Sequence, residues 1–284
     1  MPTQREVVVS GGGRSLPAVR RTVTLVCYGA RIRVGWASAD DFEPHVLARL
    51  PHARRATAAE PDAEFSVVER GGRYVLFTGS RRVAAAPSRD AILEFLESAV
   101  HQAVAQAARG RLFVHAGVVG WNGRAIVIPG RTMTGKSTLV AALAQAGADY
   151  YSDEFAVLDR RGMVRPYHKR LSLRRPGGWP DRPAVEDLGG RRGHTAIPLG
   201  LVVVAPHAQG SRWQPRPISR ADAMMALFDN TVLARVRPQF ALSTLERAVT
   251  GCWGVEGPRG DAGAAARHIL RRLDRLIASE RGEE

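Results

Sequence analysis

The sequence predicts a mixed α/β protein of the α+β kind, in which a small β-rich lobe precedes a larger domain of strands and helices. Short apolar runs separated by turn residues dominate the first part of the chain. Near the middle, a strand leads directly into a glycine-bounded loop and a helix, and helical periodicity returns toward the C-terminus. We therefore expect two domains, residues 1–87 and residues 88–284.

The N-terminal lobe is predicted from four short strands that follow a loose leader at residues 1–20. Apolar runs bounded by turn residues are typical of strands in a small sheet. The pair Gly71-Gly72 supplies a turn between the last two runs. The four runs are Val23–Cys27, Ala30–Trp36, Phe65–Val68 and Tyr74–Phe77. Nothing in this lobe indicates a chemical role.

A long helix and a hairpin open the second domain. Ser88 is a favourable N-cap, and apolar residues then recur at helical spacing until Gly110 ends the pattern. Two strand-like runs follow, Leu112–Val119 and Ala125–Pro129, and the Asn122-Gly123 pair between them is a strong hairpin signal. A hairpin at this point argues against a doubly wound parallel sheet.

The remaining elements begin with helix Lys136–Gln145, which Gly147 ends. Beyond it we expect short strands, a loop rich in glycine, proline and arginine at residues 174–198, and three helices. The expected strands are Phe155–Leu158, Leu171–Leu173 and Leu199–Ala205, and the expected helices cover 219–228, 238–249 and 264–277. No internal repeat is apparent.

The composition narrows the class of protein. The net charge of +14 suits an anionic partner, but the basic residues form no continuous block, so nucleic-acid binding is not indicated. Cys27 and Cys252 match no metal-ligand spacing and are expected to be buried small hydrophobes. The longest apolar run is far too short to cross a bilayer, and no secretory signal is evident, so we expect a cytoplasmic protein without membrane contact. A homo-oligomer is compatible with the sequence.

The segment 130–137 matches the pattern G-x-x-x-x-G-K-[ST] between a predicted strand and a predicted helix. Its glycines would let backbone amides point at phosphate oxygens, and the helix would offer its positive end to the same anion. Lys136 would contact the β and γ phosphates, and Ser137 would bind magnesium. The expected nucleotide-binding residues are Gly130, Arg131, Thr132, Met133, Thr134, Gly135, Lys136, Ser137 and Thr138. The alternative is an ordinary turn between a strand and a helix.

Other candidate residues follow from charge and position. Asp153 and Glu154 interrupt an apolar region, which indicates a metal or catalytic role for at least one of them, the alternative being two exposed acids in a turn. His115 lies in an apolar strand, where a core histidine is the competing explanation. Lys136 and Lys169 are the only lysines among 41 basic residues, so we expect both to be required. Lys169, Arg170 and Arg174 are expected on one strand, facing a phosphate, an acidic substrate or solvent.

His115, the loop Gly130–Thr138 and Ser152-Asp153-Glu154 together resemble, in order and spacing, the catalytic domain of HPr kinase/phosphorylase and its smaller kinase relatives. The resemblance covers residues 89–206. It implies the phosphoenolpyruvate-carboxykinase-like variant of the P-loop fold, a mixed sheet with flanking helices. It also implies that Asp153 is the catalytic base, that Glu154 and Ser137 hold magnesium, with Asp153 a further candidate ligand, and that His115 lies near the γ phosphate.

The expected activity is ATP- and magnesium-dependent phosphorylation of a hydroxyl, with a serine of a peptide or protein as the expected acceptor. A small alcohol such as free serine is an alternative acceptor. A regulatory module that senses ATP without transferring phosphate, and an enzyme of the phosphoenolpyruvate carboxykinase type, are alternative functions. The arginine- and glycine-rich signature that HPr kinases carry after the acidic pair is not recognisable in residues 174–198, so HPr itself and a phosphorolysis reaction are not indicated.

Overall fold

The computed structural model describes residues 19–50, 53–56, 60–130, 134–174 and 181–282. Within these ranges the chain forms two mixed sheets and six α-helices, so the predicted mixture of strands and helices is confirmed. The helices are α1 (Glu43–Arg49), α2 (Arg89–Ala107), α3 (Lys136–Gln145), α4 (Arg220–Phe228), α5 (Pro238–Val249) and α6 (Ala262–Arg281).

The first sheet belongs to the N-terminal part of the chain. Its strands are β1 (Arg21–Cys27), β2 (Ala30–Trp36), β3 (Arg54–Arg55), β4 (Ala63–Arg70), β5 (Arg73–Thr78) and β6 (Arg81–Ala86). They lie in the order β3-β1-β2-β4-β5-β6, and only β2 and β4 run parallel. The four predicted strands are present, whereas β3, β6 and the short helix α1 were not predicted.

Helix α2 covers the first sheet with its apolar side. Ser88 caps the helix by accepting a hydrogen bond from the Ala91 amide, as the sequence predicted. Leu93 and other buried residues of α2 join the same apolar cluster as Leu25 and Leu76 of the sheet. This cluster continues into the second sheet through residues such as Phe113 and Phe155. Helix α2, which was predicted to open the second domain, therefore packs on the N-terminal strands.

The second sheet positions the candidate site. Its strands are β7 (Arg111–Trp121), β8 (Arg124–Pro129), β9 (Asp149–Ser152), β10 (Phe155–Asp159), β11 (Val164–Arg165), β12 (Arg191–Arg192), β13 (Leu199–Val204), β14 (Arg216–Ile218) and β15 (Trp253–Glu256). The order is β11-β10-β7-β8-β13-β15-β14, with β9 beside β7 and β12 beside β9. The predicted hairpin is confirmed: β7 and β8 are antiparallel, and Asn122 and Gly123 both have positive φ.

Helices cover both faces of this sheet. Helices α3 and α6 pack on one face against residues such as Ile126 and Leu201. Helices α4 and α5 pack on the other face against the alternate residues of the same strands, such as Val127 and Val202. The four helices predicted after residue 135 are all present, and α6 is longer than expected at both ends.

Two predictions about the segment after β11 are wrong. Residues 171–173 do not form a strand, because only Leu173 makes an isolated bridge, with Asp181. Lys169, Arg170 and Arg174 therefore do not share one face of a strand. The apolar pattern that suggested a strand arises because Leu171 is fully buried in an irregular segment, where its amide donates to the Pro183 carbonyl at 3.1 Å.

The composition led to two expectations, that both cysteines are buried and that no segment crosses a membrane. Cys27 and Cys252 are both buried, and burial raises the pKa of the Cys252 thiol to about 11, which agrees with their predicted role as small hydrophobes. In the described ranges, every helix is too short or too polar to span a bilayer.

Candidate active site

Strand β7 brings the glycine-bounded loop and the acidic pair together. On one side, Gly130 begins the loop, and its amide donates to the His115 carbonyl at 3.2 Å. On the other side, β9 ends at Ser152 and β10 begins at Phe155, so Asp153 and Glu154 occupy a break between two strands that both pair with β7. The two motifs therefore meet at the middle of one strand.

A glycine on β7 allows helix α3 to lie close to this point. A side chain at Gly117 would clash with Val140 of α3 and would also approach Lys136. Helix α3 begins immediately after Gly135, whose φ of 80° lies in the left-handed region that glycine adopts without strain. Its first turn contains no acidic residue, so the positive end of the helix dipole stays available to an anion.

A cavity of about 210 Å³ lies between the helix end and the acidic pair. Its lining residues are His115, Gly135, Lys136, Ser137, Thr138, Asp153, Glu154, Ser172 and Arg174. Most of the predicted site residues thus meet around one space. Thr134 lies beside Gly130 at the start of the loop. The predicted nucleotide-binding residues Arg131, Thr132 and Met133 lie outside the described residues.

Asp153 is held firmly at the bottom of the site. Its side chain is 1% exposed, and its Oδ1 lies 3.1 Å from Lys169 Nζ and accepts a hydrogen bond from the Tyr150 hydroxyl at 3.2 Å. Its Oδ2 accepts from the Ser172 amide at 3.0 Å, and the Ser137 side chain is a further hydrogen-bond partner. Burial alone would raise the pKa of Asp153, but Lys169 and these donors hold it below its usual value.

Lys169 is the buried counter-charge of the acidic pair. Its side chain is 3% exposed, and Nζ also lies 3.8 Å from a carboxylate oxygen of Glu154. Burial would lower the pKa of Lys169, but the negative charges of Asp153, Glu154 and Glu97 together raise it. Lys169, which was predicted to contact the substrate, therefore pairs with the carboxylates and does not line the cavity.

Glu154, His115 and Lys136 surround the open part of the cavity. The Glu154 side chain is 38% exposed, in contrast to that of Asp153. Burial lowers the pKa of His115, Glu154 opposes this shift, and the charge of Lys136 adds to it. Burial also lowers the pKa of Lys136, and the two carboxylates only partly offset it. The His115 imidazole thus lines the same cavity as the Lys136 side chain and the partly exposed Glu154 carboxylate.

The donor set fits magnesium held jointly with a phosphate better than a metal held by protein alone. Among the described residues no group of three or more His, Cys, Asp or Glu side chains could hold a metal ion. Magnesium is usually held by one or two carboxylates, a hydroxyl and the phosphate oxygens of the substrate. Asp153, Glu154 and Ser137 line the same cavity and supply such a set.

The other two predicted substrate residues are separated from each other. Arg174 lines the cavity. Arg170 is exposed and donates to the Arg182 carbonyl at 3.1 Å.

Three residues that contribute to the site were not predicted from the sequence: Tyr150, Ser172 and Arg259. Arg259 is buried, and its guanidinium donates to the Gly135 carbonyl at 2.6 Å. Arg259 is distant in sequence from the loop, so no local pattern could have indicated it.

A larger, open cavity of about 710 Å³ lies at the far end of β7 and β10. It is lined by several arginines, among them Arg111, Arg160 and Arg165, together with Asp159. None of the predicted site residues contributes to it, so its size alone does not connect it with the chemistry of the loop. The comparisons with known proteins do not decide between the two cavities: no family model and no curated protein matches the chain.

Proposed function

We propose that the chain binds the phosphates of ATP, with magnesium, in the 210 Å³ cavity and transfers the γ-phosphoryl group to a hydroxyl, namely a serine of a peptide or protein. One observation carries the proposal: the N-terminus of α3, with Lys136, faces the Asp153–Glu154 pair across a single small space. The P-loop nature of the fold and the likeness to HPr kinases are part of the proposal. The need for ATP makes the cytoplasm the expected compartment.

The loop and the helix end would hold the phosphates. The left-handed Gly135 turns the chain so that α3 starts at Lys136, and Lys136, Ser137 and Thr138 of its first turn line the cavity. The N-terminal end of a helix carries partial positive charge, which favours a phosphate at this position. The Lys136 ammonium would neutralise the terminal phosphates. Magnesium, held by Ser137 and the phosphate oxygens, would supply further positive charge there.

The surroundings of the two carboxylates favour different roles for them. Both oxygens of Asp153 already accept hydrogen bonds, and its lowered pKa makes it a weak proton acceptor. Glu154 is partly exposed in the same cavity, beside His115. We therefore place the base at Glu154 and assign Asp153 to positioning the Ser137 hydroxyl, which would bind magnesium. This differs from the role that the family resemblance implies for Asp153.

In the proposed reaction, one bond to the γ phosphorus forms as another breaks, and Glu154 takes up the released proton. The acceptor oxygen forms a bond to the γ phosphorus while the bond between that phosphorus and the ADP oxygen breaks. The proton of the acceptor hydroxyl passes to the Glu154 carboxylate. His115, which is predominantly uncharged because its pKa is lowered, would orient the acceptor or the phosphoryl oxygens through a hydrogen bond without adding charge.

Mass spectrometry of candidate peptides and of free serine, after incubation with the protein, ATP and magnesium, tests the proposal. We expect a phosphorylated hydroxyl with the wild type and a rate about 10²–10⁴-fold lower with Glu154→Gln, while ATP binding persists. Asp153→Asn should weaken magnesium-dependent ATP binding itself. Glu246→Gln, at an exposed position on α5, is the matched control.

Two outcomes would contradict parts of this proposal. Unchanged transfer by Glu154→Gln, with loss only in Asp153→Asn, would return the base to Asp153. Tight ATP binding by the wild type without transfer to any peptide, protein or small alcohol would favour a nucleotide-sensing module instead. Phosphate on free serine but on no peptide would keep the reaction and change the acceptor class.

A further inference from the structure

A buried arginine, Arg259, contacts Gly135 at the end of the glycine-bounded loop. Arg259 is only 1% exposed, and it belongs to the connection between β15 and α6. One guanidinium nitrogen, Nη2, donates to the Gly135 carbonyl at 2.6 Å, and Nη1 donates to the Gly260 carbonyl at 3.5 Å. The buried Nε has no hydrogen-bond partner among the described residues.

The positive charge of Arg259 is poorly compensated. Among the described residues, no carboxylate forms an ion pair with it, and its partners are backbone carbonyls. Asp261 is the acid that acts on it electrostatically, but this carboxylate caps α6 by accepting from the Ala264 amide at 2.6 Å. Burial lowers the pKa of Arg259, and Asp261 only partly opposes this. A cation buried in this way is stabilised when a ligand brings the missing negative charge.

Arg259 also lines a second cavity beside the first one. This cavity has a volume of about 740 Å³, and its other walls include His207, Gln209 and Ser211. It shares Gly135 and Thr138 with the 210 Å³ cavity, so the two spaces meet at the start of α3. Sites for ligands of this size usually measure about 300–1,000 Å³, so the smaller cavity alone is too small for a nucleoside triphosphate.

We propose that the nucleoside end of the nucleotide lies in the second cavity, and that Arg259 binds the phosphate nearest the nucleoside while it holds Gly135 in place. This inference rests on the proposed nucleotide binding but not on phosphoryl transfer. An α-phosphate at the boundary between the cavities would lie against the guanidinium of Arg259, whose Nη1 makes a long hydrogen bond of 3.5 Å to the Gly260 carbonyl, and would accept a charge-assisted hydrogen bond from it. The close contact with Arg259 also requires a glycine at position 135, because a Cβ there would lie 2.6 Å from Arg259 Nη2.

Affinities for AMP, ADP, ATP, adenosine and inorganic tripolyphosphate, measured by calorimetry, test the role of Arg259. Because AMP carries only the phosphate in question, Arg259→Met should weaken AMP, ADP and ATP alike by about 10- to 150-fold, the range for a hydrogen bond to a charged group. Adenosine binding should change less than about threefold. Arg259→Lys should recover part of the loss. Arg212→Met removes an exposed arginine nearby and controls for net charge.

A second variant tests the cavity without touching the buried arginine. Gln209 is an exposed loop residue of the cavity wall, and Gln209→Trp would fill part of the space. We expect it to weaken ATP, AMP and adenosine binding at least tenfold and to leave tripolyphosphate binding unchanged. Equal affinity of Gln209→Trp and wild type for adenosine would overturn the placement of the nucleoside.

The outcomes separate this inference from the proposed function. Nucleotide binding that depends on Arg259, in a protein that transfers no phosphate, supports the inference and overturns the kinase proposal. Transfer that persists while Arg259→Met binds AMP as tightly as wild type overturns the inference alone. Equal weakening of adenosine, tripolyphosphate and AMP by Arg259→Met would show a purely structural role and would also overturn it.

Discussion

The two lysines of the chain occupy different environments, and their removal should have different effects. Lys169 is buried beside Asp153, so Lys169→Met leaves the Asp153 carboxylate buried without a cation. We expect the free energy of unfolding to fall by about 3–5 kcal/mol. Lys136 lines the cavity, and its pKa is lowered, so Lys136→Met should change stability by less than about 1 kcal/mol and abolish ATP binding. Urea unfolding and calorimetric titration with ATP measure the two effects.

A double variant checks the cause of the Lys169 effect. Adding Asp153→Leu to Lys169→Met replaces the buried ion pair by apolar groups, and most of the lost stability should return. Similar destabilisation by Lys169→Met and Lys136→Met would show that burial of the pair is not the reason. The scarcity of lysine in the sequence indicated that both residues matter, but only the structure distinguishes a structural cation from one that faces the cavity.

At the scale of elements, the position of α3 depends on a residue without a side chain. Gly117→Ala would push against Val140 and shift the helix that carries Lys136 and Ser137. We expect a loss of about 1–3 kcal/mol in the free energy of unfolding and weaker ATP binding, measured by urea unfolding and calorimetry. Gly263→Ala in the first turn of α6 is the control, because its nearest neighbours lie 3.5 Å away. It should be neutral or stabilise by up to about 1 kcal/mol. Equal losses in both variants would contradict the packing argument.

Elements with a strong local pattern were predictable from the sequence, and those without one were not. The hairpin, α2 and α3 carry their own turn, cap and periodicity signals, so their predictions are confirmed. Strand β9 contains polar residues at both ends, and β15 contains a glycine, so neither shows the apolar alternation of a strand. These strands form because neighbouring strands offer them hydrogen bonds, which is information that a local pattern lacks.

The residues of the candidate site likewise differ in whether the sequence could predict them. The loop and the acidic pair are close in sequence, so their meeting around one cavity could be anticipated. Ser172 and Arg259 reach the site through an irregular segment and a distant connection, and their roles depend on tertiary contacts. The predicted strand at residues 171–173 failed because burial of Leu171 has the same sequence signature as a short strand.

At the scale of the whole molecule, Glu97 connects the N-terminal lobe with the segment that follows the site. This residue of α2 is buried, and its carboxylate lies 3.1 Å from Arg49 of α1 and 2.8 Å from Arg182. His101, one turn further along α2, lies 3.7 Å away. Arg182 follows the segment that contains Ser172 and Arg174, so this cluster ties both parts of the chain together.

The stability of the whole molecule should therefore depend on the ionisation of Glu97. Burial opposes ionisation, but His101, Arg182 and Lys169 outweigh it and lower the pKa of Glu97 to about 2. Since the unshifted pKa of this carboxyl is 4.5, the stabilising contribution is complete above that pH and is lost as the pH falls toward 2. The difference corresponds to roughly 3 kcal/mol at neutral pH.

Glu97→Gln should remove this contribution, lowering the free energy of unfolding at pH 7 by roughly 3 kcal/mol and flattening its decline between pH 5 and 2. Urea unfolding at a series of pH values measures both effects. Glu94→Gln is the matched control, because Glu94 also contacts Arg182 but has a side chain that is 20% exposed, compared with 6% for Glu97. Parallel stability curves for wild type and Glu97→Gln across this pH range would show that acid sensitivity arises elsewhere. A flat curve for Glu97→Gln, with a wild-type-like curve for Glu94→Gln, would locate it in the buried cluster that joins the two parts of the chain.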